Sequence, residues 1–310
     1  GIYKLYLKET FIMATMLTYD TEGKREDLQD AIYDISPTTT PFMSTIGRTK
    51  AKATYHEWQT DNLADVDSDN AQLEGADAVA PALATTEKVG NRTQISDKVV
   101  QVSTTDDVVD KAGRTTETAY QLAKASSELK RDMETILLSD QAQNPGNSTT
   151  ARTLQGMQAW VTTNDVTATG TAGTTTFAEE DLKGAMLEAY DQGGEPSMLL
   201  VSPKNKVQVS SFTGIAEQRY QAPKSSPTTI IGTADVYLSD FGTLNVVPDR
   251  FLDDACALFV DPSMANVAYL RPFKKTKLAK TGDSEKHLMN VEYTLVVKNE
   301  KAHAKVSGIV

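Results

Sequence analysis

The sequence predicts a mixed α+β fold: an extended N-terminal arm, one long amphipathic helix, a mixed middle and a strand-rich end. Three observations predict it. Apolar residues recur at helical spacing after Gly113, they alternate at strand spacing over residues 92–104, and from Met198 onward they gather in short runs separated by turn signals.

The bulk properties narrow the function classes. At 310 residues the chain is long enough for one large or two small domains with a real core. No apolar run approaches the roughly 18 residues of a membrane span, and the opening Gly1-Ile2-Tyr3-Lys4-Leu5-Tyr6-Leu7 is too short and too polar for a signal peptide. Cys256 is the only cysteine, so no intramolecular disulfide can form and a reducing compartment suits the chain. A net charge of −11 argues against tight general binding of DNA, which needs many lysine and arginine contacts to phosphate. Met13-Ala14-Thr15-Met16-Leu17 reads like a natural start, and two readings of residues 1–12 stay open: a translated leader ahead of Met13, or a chain whose Gly1 follows a processing cut.

The first element is an amphipathic helix marked by Leu28, Ala31, Ile32 and Ile35 and ended by Pro37. A short second helix comes next, with Thr40 as N-cap, Pro41 in the first position, and Phe42, Met43 and Ile46 as its apolar side. Residues 51–60 and 92–104 read as extended, and between them lies a long acidic connection. No Lys or Arg occurs from Ala53 to Glu87, whereas Glu57, Asp61, Asp65, Asp67, Asp69, Glu74 and Asp77 do; the segment reads as a protruding β-arm. The longest helix is expected from about Thr115 to Asp140, with Leu122, Leu129, Met133, Ile136 and Leu137 on one face. Glu128/Arg131 and Lys130/Glu134 are expected as ion pairs on its exposed side.

Asn144-Pro145-Gly146-Asn147 stops that helix, and the threonine-rich stretch 162–176 reads as a loop or weak hairpin. A capping box, Thr176-x-x-Glu179, should open the next helix, whose stripe is Leu182, Ala185, Met186, Ala189 and Tyr190. Met198–Val201 is a buried strand, and Pro203 starts a helix or turn. Residues 235–250 and 256–273 read as strands turning at Asp240-Phe241-Gly242 and Asp261-Pro262, and the last strand runs from Glu292 through Asn299 to Val310.

Chemistry-bearing residues are sparse. His56, His287 and His303 lie far apart, and Cys256 sits in the apolar run Ala255-Cys256-Ala257-Leu258-Phe259-Val260, as a buried inert thiol would. Asp65-x-Asp67-x-Asp69-Asn70 resembles the start of a calcium loop, but the sixth position is Asn70 and the twelfth is Ala76, where glycine and a bidentate glutamate belong. The sequence therefore assigns no catalytic, cofactor-binding or metal residue, and no cofactor. What remains is charge. Arg271, Lys274, Lys275, Lys277 and Lys280 form a basic run without an intervening acid, read either as a solvated face or as a docking surface for acid. The acidic arm (Glu57 to Asp77) pressed onto a neighbour's basic strip would be a heterologous contact, the kind that builds rings and lattices.

Several segments carry a family resemblance. They are Asn266-Val267-Ala268-Tyr269-Leu270-Arg271-Pro272-Phe273, then Leu278-Ala279-Lys280-Thr281-Gly282-Asp283-Ser284, then Glu292-Tyr293-Thr294-Leu295 and Asn299-Glu300-Lys301-Ala302-His303. Thr40-Pro41-Phe42 through Ile46-Gly47, Glu57-Trp58, and Gly113-Arg114 fit the same pattern. Over nearly all of residues 20–310 the chain resembles the major head proteins of tailed bacteriophages, with the HK97-like capsid fold.

The resemblance implies an N-terminal arm over 1–48, an extended E-loop over 49–103, and a peripheral domain over 104–177 carrying a spine helix at 115–140. It further implies an axial domain over 178–250, peripheral strands over 251–298, and a final strand, 299–310, returning to the axial domain. The function implied is structural: pentamers and hexamers of one chain closing into an icosahedral head around double-stranded DNA, assembled in the bacterial cytoplasm. The implied partners are the chain itself, a separate scaffolding protein, a portal, a decoration protein as a further candidate, and non-specifically packaged DNA, with no membrane. Lys50, Lys52, Lys88 and Asn299 are residue types that crosslink in some members, but nothing marks them and no crosslink is expected. Two other readings stay open on the residues: an encapsulin-type compartment enclosing cargo, and a virion decoration or surface-binding protein.

Overall fold

The computed structural model describes residues 39–64, 66–75, 77, 83, 85–109, 116–169, 175–212 and 236–310. The expected arm helix at Leu28–Ile35, the acid Asp65 and the Gly113-Arg114 pair lie outside them.

The long helix is present as α3 (Glu117–Leu138), about 33 Å of rod at 1.5 Å per residue. Thr116 caps it, its hydroxyl accepting the Ala119 N–H. Leu122, Ala125, Leu129, Met133 and Leu137 recur every three or four residues and are all buried, which fixes the face the helix turns inward. The two predicted surface ion pairs do not form. Glu128 meets Lys124 instead, at 3.9 Å, and Asp132 meets Lys98 at 2.7 Å. Glu134 is fully buried, because it lies one turn from Leu137 and Leu138 on the inward face, where its carboxylate finds backbone donors in place of Lys130.

Under α3 lies a four-stranded sheet in the order β1-β10-β11-β4. β1 (Gly47–Lys50) pairs in parallel with the start of β10 (Ala265–Lys277). β10 and β11 (Ser284–Val297) form a long antiparallel hairpin, and β4 (Gln94–Ser103) closes the other edge. β11 begins at Ser284, eight residues before the expected Glu292, because its outer half is mostly polar and only partly buried, and is held by pairing with β4 and β10. Just before β1, the short helix α1 (Pro41–Thr45) seats Phe42, Met43 and Ile46 in the core beside Leu129 and Met133.

A second sheet has six strands, ordered β5-β12-β9-β6-β8-β7: β5 (Asp165–Thr167), β6 (Met198–Val201), β7 (Val236–Ser239), β8 (Gly242–Pro248), β9 (Cys256–Val260) and β12 (Ala304–Ser307). Its central strands β6 and β9 are buried along their whole length, as strands covered on both faces must be. Met198, Leu200, Leu258 and Val260 face one core, shared with α3 and the four-stranded sheet. Leu199, Val201, Ala257 and Phe259 face another, covered by α5 (Glu179–Asp191) and α6 (Pro203–Ser210). β9 pairs with β6 and β12 in the six-stranded sheet, whereas β10 and β11, which follow it in the chain, lie in the four-stranded one. The last strand is also interrupted: Glu300–Ala302 turn as a short 3-10 helix between β11 and β12. The expected capping box shifts by two residues. Phe177 is buried against Phe212, so α5 starts at Glu179, and Asp181 rather than Glu179 reaches back to accept the Ala178 N–H.

The C-terminal end of α3 packs tightly against the loop at Gly156. A side-chain carbon built on Gly156 would lie 2.1 Å from the Ser139 carbonyl oxygen, on backbone that cannot swing away. Gly156→Ala is therefore expected to destabilise the subunit by about 3 kcal/mol, read as a lower urea midpoint at unchanged slope; an unchanged midpoint would mean that this junction yields.

Candidate functional site

The features that stand out from the two cores are an arm, a strip and the joint between them. The arm is a hairpin of β2 (Tyr55–Thr60) and β3 (Glu87–Arg92). Its base is clamped by the Arg92 guanidinium over the Tyr55 ring, 4.8 Å from the centroid, and by Trp58 against Trp160 at 5.6 Å. Beyond Thr60 the chain leaves regular pairing. Leu63, Val66, Leu73 and Leu83 are 98, 97, 84 and 90 % exposed there, an arrangement costly for an isolated chain.

The acids predicted along this arm fall into two groups. Glu57 lies on β2 and is taken by Lys88 of β3 at 3.1 Å. Asp61 and Asp67 accept only local backbone N–H groups, from Asn62 and Asp69, and Asp61, Asp67, Asp69, Glu74 and Asp77 are all exposed. Asp65 lies outside the described residues.

The basic strip occupies the outer half of β10 and the turn after it, and most of it is engaged within the subunit. Arg271 Nε donates to Glu292 at 2.8 Å, Lys277 pairs with Glu285 at 2.7 Å, and Lys280 reaches the Thr104 hydroxyl at 3.5 Å. Lys274 and Lys275 are exposed and have no polar partner among the described residues. They stand where β10 shifts register against β11, beside Pro272. Among the described residues, no ion pair within one subunit joins the arm's acids to this strip.

The joint is what the sequence does not reveal. Asn91 is fully buried at the arm's base; its amide donates to the carbonyls of Gln155 and Leu295 at 3.0 and 2.9 Å, and its oxygen accepts the N–H groups of Gln155 and Arg92. Two residues on, the buried Thr93 hydroxyl donates to Glu292 at 2.8 Å. The Glu292 carboxylate also takes Arg152 Nη2 at 2.5 Å and Arg271 Nε, and Arg152 Nε holds the Thr93 carbonyl at 2.6 Å. Burial alone would raise the Glu292 carboxyl, but the Thr93 and Arg271 hydrogen bonds and the two guanidinium charges bring it below the ordinary carboxylate range. One signal is present in the sequence: Glu292 is a lone acid in the apolar run Val291-Glu292-Tyr293-Thr294-Leu295, and a buried strand tolerates an acid only with a cation beside it. Its partners, 140 and 199 residues away in the chain, carry none.

Among the described residues, the titratable groups elsewhere form no reactive set. Burial pushes the Cys256 thiol up to about 12, far from the thiolate a nucleophile needs. His303 is buried, its ring lowered to about 4, with Nδ1 accepting the Asp261 N–H. His287 lies 3.8 Å from Glu285 on β11, and His56 stacks near Trp58 on the arm. Among the described residues there is no group of three or more His, Cys, Asp or Glu placed to hold a metal ion, and no helix long and apolar enough to cross a membrane.

Comparison with known proteins bears on this arrangement directly. The major capsid protein of Escherichia phage Phieco32 is 28% identical over 335 aligned residues, covering 92% of this chain and 94% of that one. Among solved structures, the capsid of cyanophage A-1(L) superposes with a TM-score of 0.66 at 12% identity over 95% of this chain and 98% of that one. The SrpI encapsulin of Synechococcus elongatus PCC 7942 superposes at 0.59 and 14% identity, over 90% of this chain and 92% of that one. At such identities the two structures speak to the fold, which is HK97-like; the sequence relationship is to phage capsid proteins, which leaves the encapsulin reading the weaker one and removes the decoration-protein reading. The model of the SU10 major capsid protein family matches residues 13–310, and the chain belongs to that family of phage capsid subunits.

Proposed function

We propose that this capsid subunit closes into an icosahedral head as pentamers and hexamers, in the host cytoplasm, around double-stranded DNA, and that its role is structural and not catalytic. In this reading α1 and β1 belong to the N-terminal arm, the β2–β3 hairpin is the E-loop, and α3 with the four-stranded sheet forms the peripheral domain. The six-stranded sheet with α5 and α6 is then the axial domain, β9 included. A separate scaffolding protein and a portal are the expected assembly partners, with a decoration protein as a further candidate.

The observation that carries this reading is the pairing of leftovers. Among the described residues, the arm presents bare acids and four bare apolar side chains, the strip presents two lysines without partners, and no ion pair joins the two within one subunit. A second copy supplies what each lacks: Asp61, Asp67, Asp69, Glu74 and Asp77 of one subunit against Lys274 and Lys275 of the next, with Arg271, Lys277 and Lys280 shaping the strip from within. A subunit with net charge −11 encloses DNA without gripping it, which leaves the genome free to exit.

Negative-stain electron microscopy of the chain, expressed from Met13 alone and with its neighbouring scaffolding gene, tests the proposal. Closed shells protecting nucleic acid from nuclease are expected; shells carrying only a cargo protein would move it to the encapsulin role, and a folded monomer in both samples would overturn it.

A further inference from the structure

Glu134 is fully buried on α3, and both of its oxygens are used: Oε1 accepts the Phe42 N–H at 2.7 Å and Oε2 the Met43 N–H at 2.9 Å. These are the first amides of α1, and Thr40 offers no side-chain cap, so this distant carboxylate is what holds the short helix in place. Against Glu134 stands a second buried acid, Asp249, in the turn after β8. Asp249 Oδ1 accepts the Phe251 N–H at 2.8 Å, but Oδ2 is buried with no donor, and the neighbouring group is the Glu134 carboxyl. Two acceptors facing each other are satisfied only when one proton sits between them.

Among the described residues, no cation forms an ion pair with either acid. α1 carries no titratable residue. On α3, Lys130 is exposed, and the Arg131 guanidinium stands 5.9 Å from the centre of the Phe251 ring. The turn after β8 adds Arg250, Asp253 and Asp254, of which Asp253 accepts the Ala255 N–H. From the sheets, Cys256 and Tyr293 belong to the same core, and burial keeps both protonated through neutral pH.

We propose that Glu134 and Asp249 form a one-proton latch on the N-terminal arm: with the proton in place α1 is clamped to the spine helix, and removing it sets two buried charges against each other and releases α1. The direction comes from burial, which pushes the Glu134 carboxyl up to about 8 and raises Asp249 as well. An undocked acid ionises near the ordinary carboxylate value, so docking is strongest below that value, weakens as pH rises, and reaches its minimum above about 8.

The test is amide hydrogen exchange at Phe42 and Met43 in the full chain, corrected for the intrinsic base-catalysed rate, between about pH 6 and about pH 9.5. Protection is expected to fall about tenfold or more across that range. In Asp249→Asn it should stay flat, because the amide gives Glu134 a permanent donor while its oxygen keeps the Phe251 N–H. Wild-type protection that does not change, or an equal fall in Asp249→Asn, would overturn the proposal. Should that variant fail to fold, infrared spectroscopy of the wild-type chain decides: a buried carboxylic-acid carbonyl band that persists at neutral pH and disappears near pH 8 supports the latch, and its absence at neutral pH overturns it.

Discussion

Replacing Glu292 by alanine is expected to lower the stability of the folded subunit by about 3–5 kcal/mol, the range found when one partner of a buried ion pair is removed. For a chain of this length that is a fall in Tm of roughly 5–8 °C. The size reflects the groups left behind. The Thr93 hydroxyl is buried and loses its only acceptor among the described residues, and Arg152 is three-quarters buried and loses its counter-charge. Arg271 is half-exposed and can turn to water, so Arg271→Ala should cost no more than about 1 kcal/mol. That contrast separates a buried joint from a surface salt bridge: equal effects from the two substitutions would contradict it. The pH dependence has the opposite sense to the latch. Because the folded-state carboxyl is held below its ordinary value, its stabilisation is complete above that value and is lost as pH falls through the folded one. The Glu292→Ala subunit should therefore lose part of the wild type's acid sensitivity.

The second large effect is on assembly. Lys274→Glu with Lys275→Glu should leave the subunit folded and raise the concentration needed to form shells by at least about tenfold. A single exposed ion pair is worth only about 0.2–1 kcal/mol. Reversing two lysines turns the proposed attraction into repulsion, however, and a lattice built on that contact would repeat it at every subunit, so about 1.4 kcal/mol per subunit already gives the tenfold change. Lys277 is left in place because Glu285 holds it, and altering it would confuse folding with docking. Light scattering across a concentration series reads the effect, raised salt should mimic it in the wild type, and lysines at Asp67, Asp69 and Glu74 should restore assembly in the reversed strip. Normal shells from the double variant at wild-type concentration would exclude the arm-to-strip contact.

Local signals in this chain are legible, and distant ones are not. The spine helix announces itself through 22 residues of periodic pattern, and the strand Met198–Val201 through four apolar residues between turns, because both depend on neighbours in sequence. β11 is only half legible, since Ser284–Asn290 is a strand only by virtue of β4 and β10 on either side. Glu134 misleads for the same reason. Three or four residues from a lysine or arginine on a helix, an acid looks like a surface ion pair, and nothing nearby says that its partners are two amides more than 90 residues away. The basic run is visible as composition, but which lysines are free can be told only once Glu285, Glu292 and Thr104 have each claimed one member.

Arg271 belongs at once to the strip we propose as the docking surface for a neighbour and to the joint that roots the arm, through Glu292 and Thr93. In a ring of such subunits the consequence is mechanical. With the arm-to-strip contact proposed above, a pull on one arm would pass through that joint into the surface holding the next arm, so tension from a pressurised interior would run around the ring as it does along a hoop, carried from one subunit to the next by stiff buried links while the exposed surface side chains only complete the circuit.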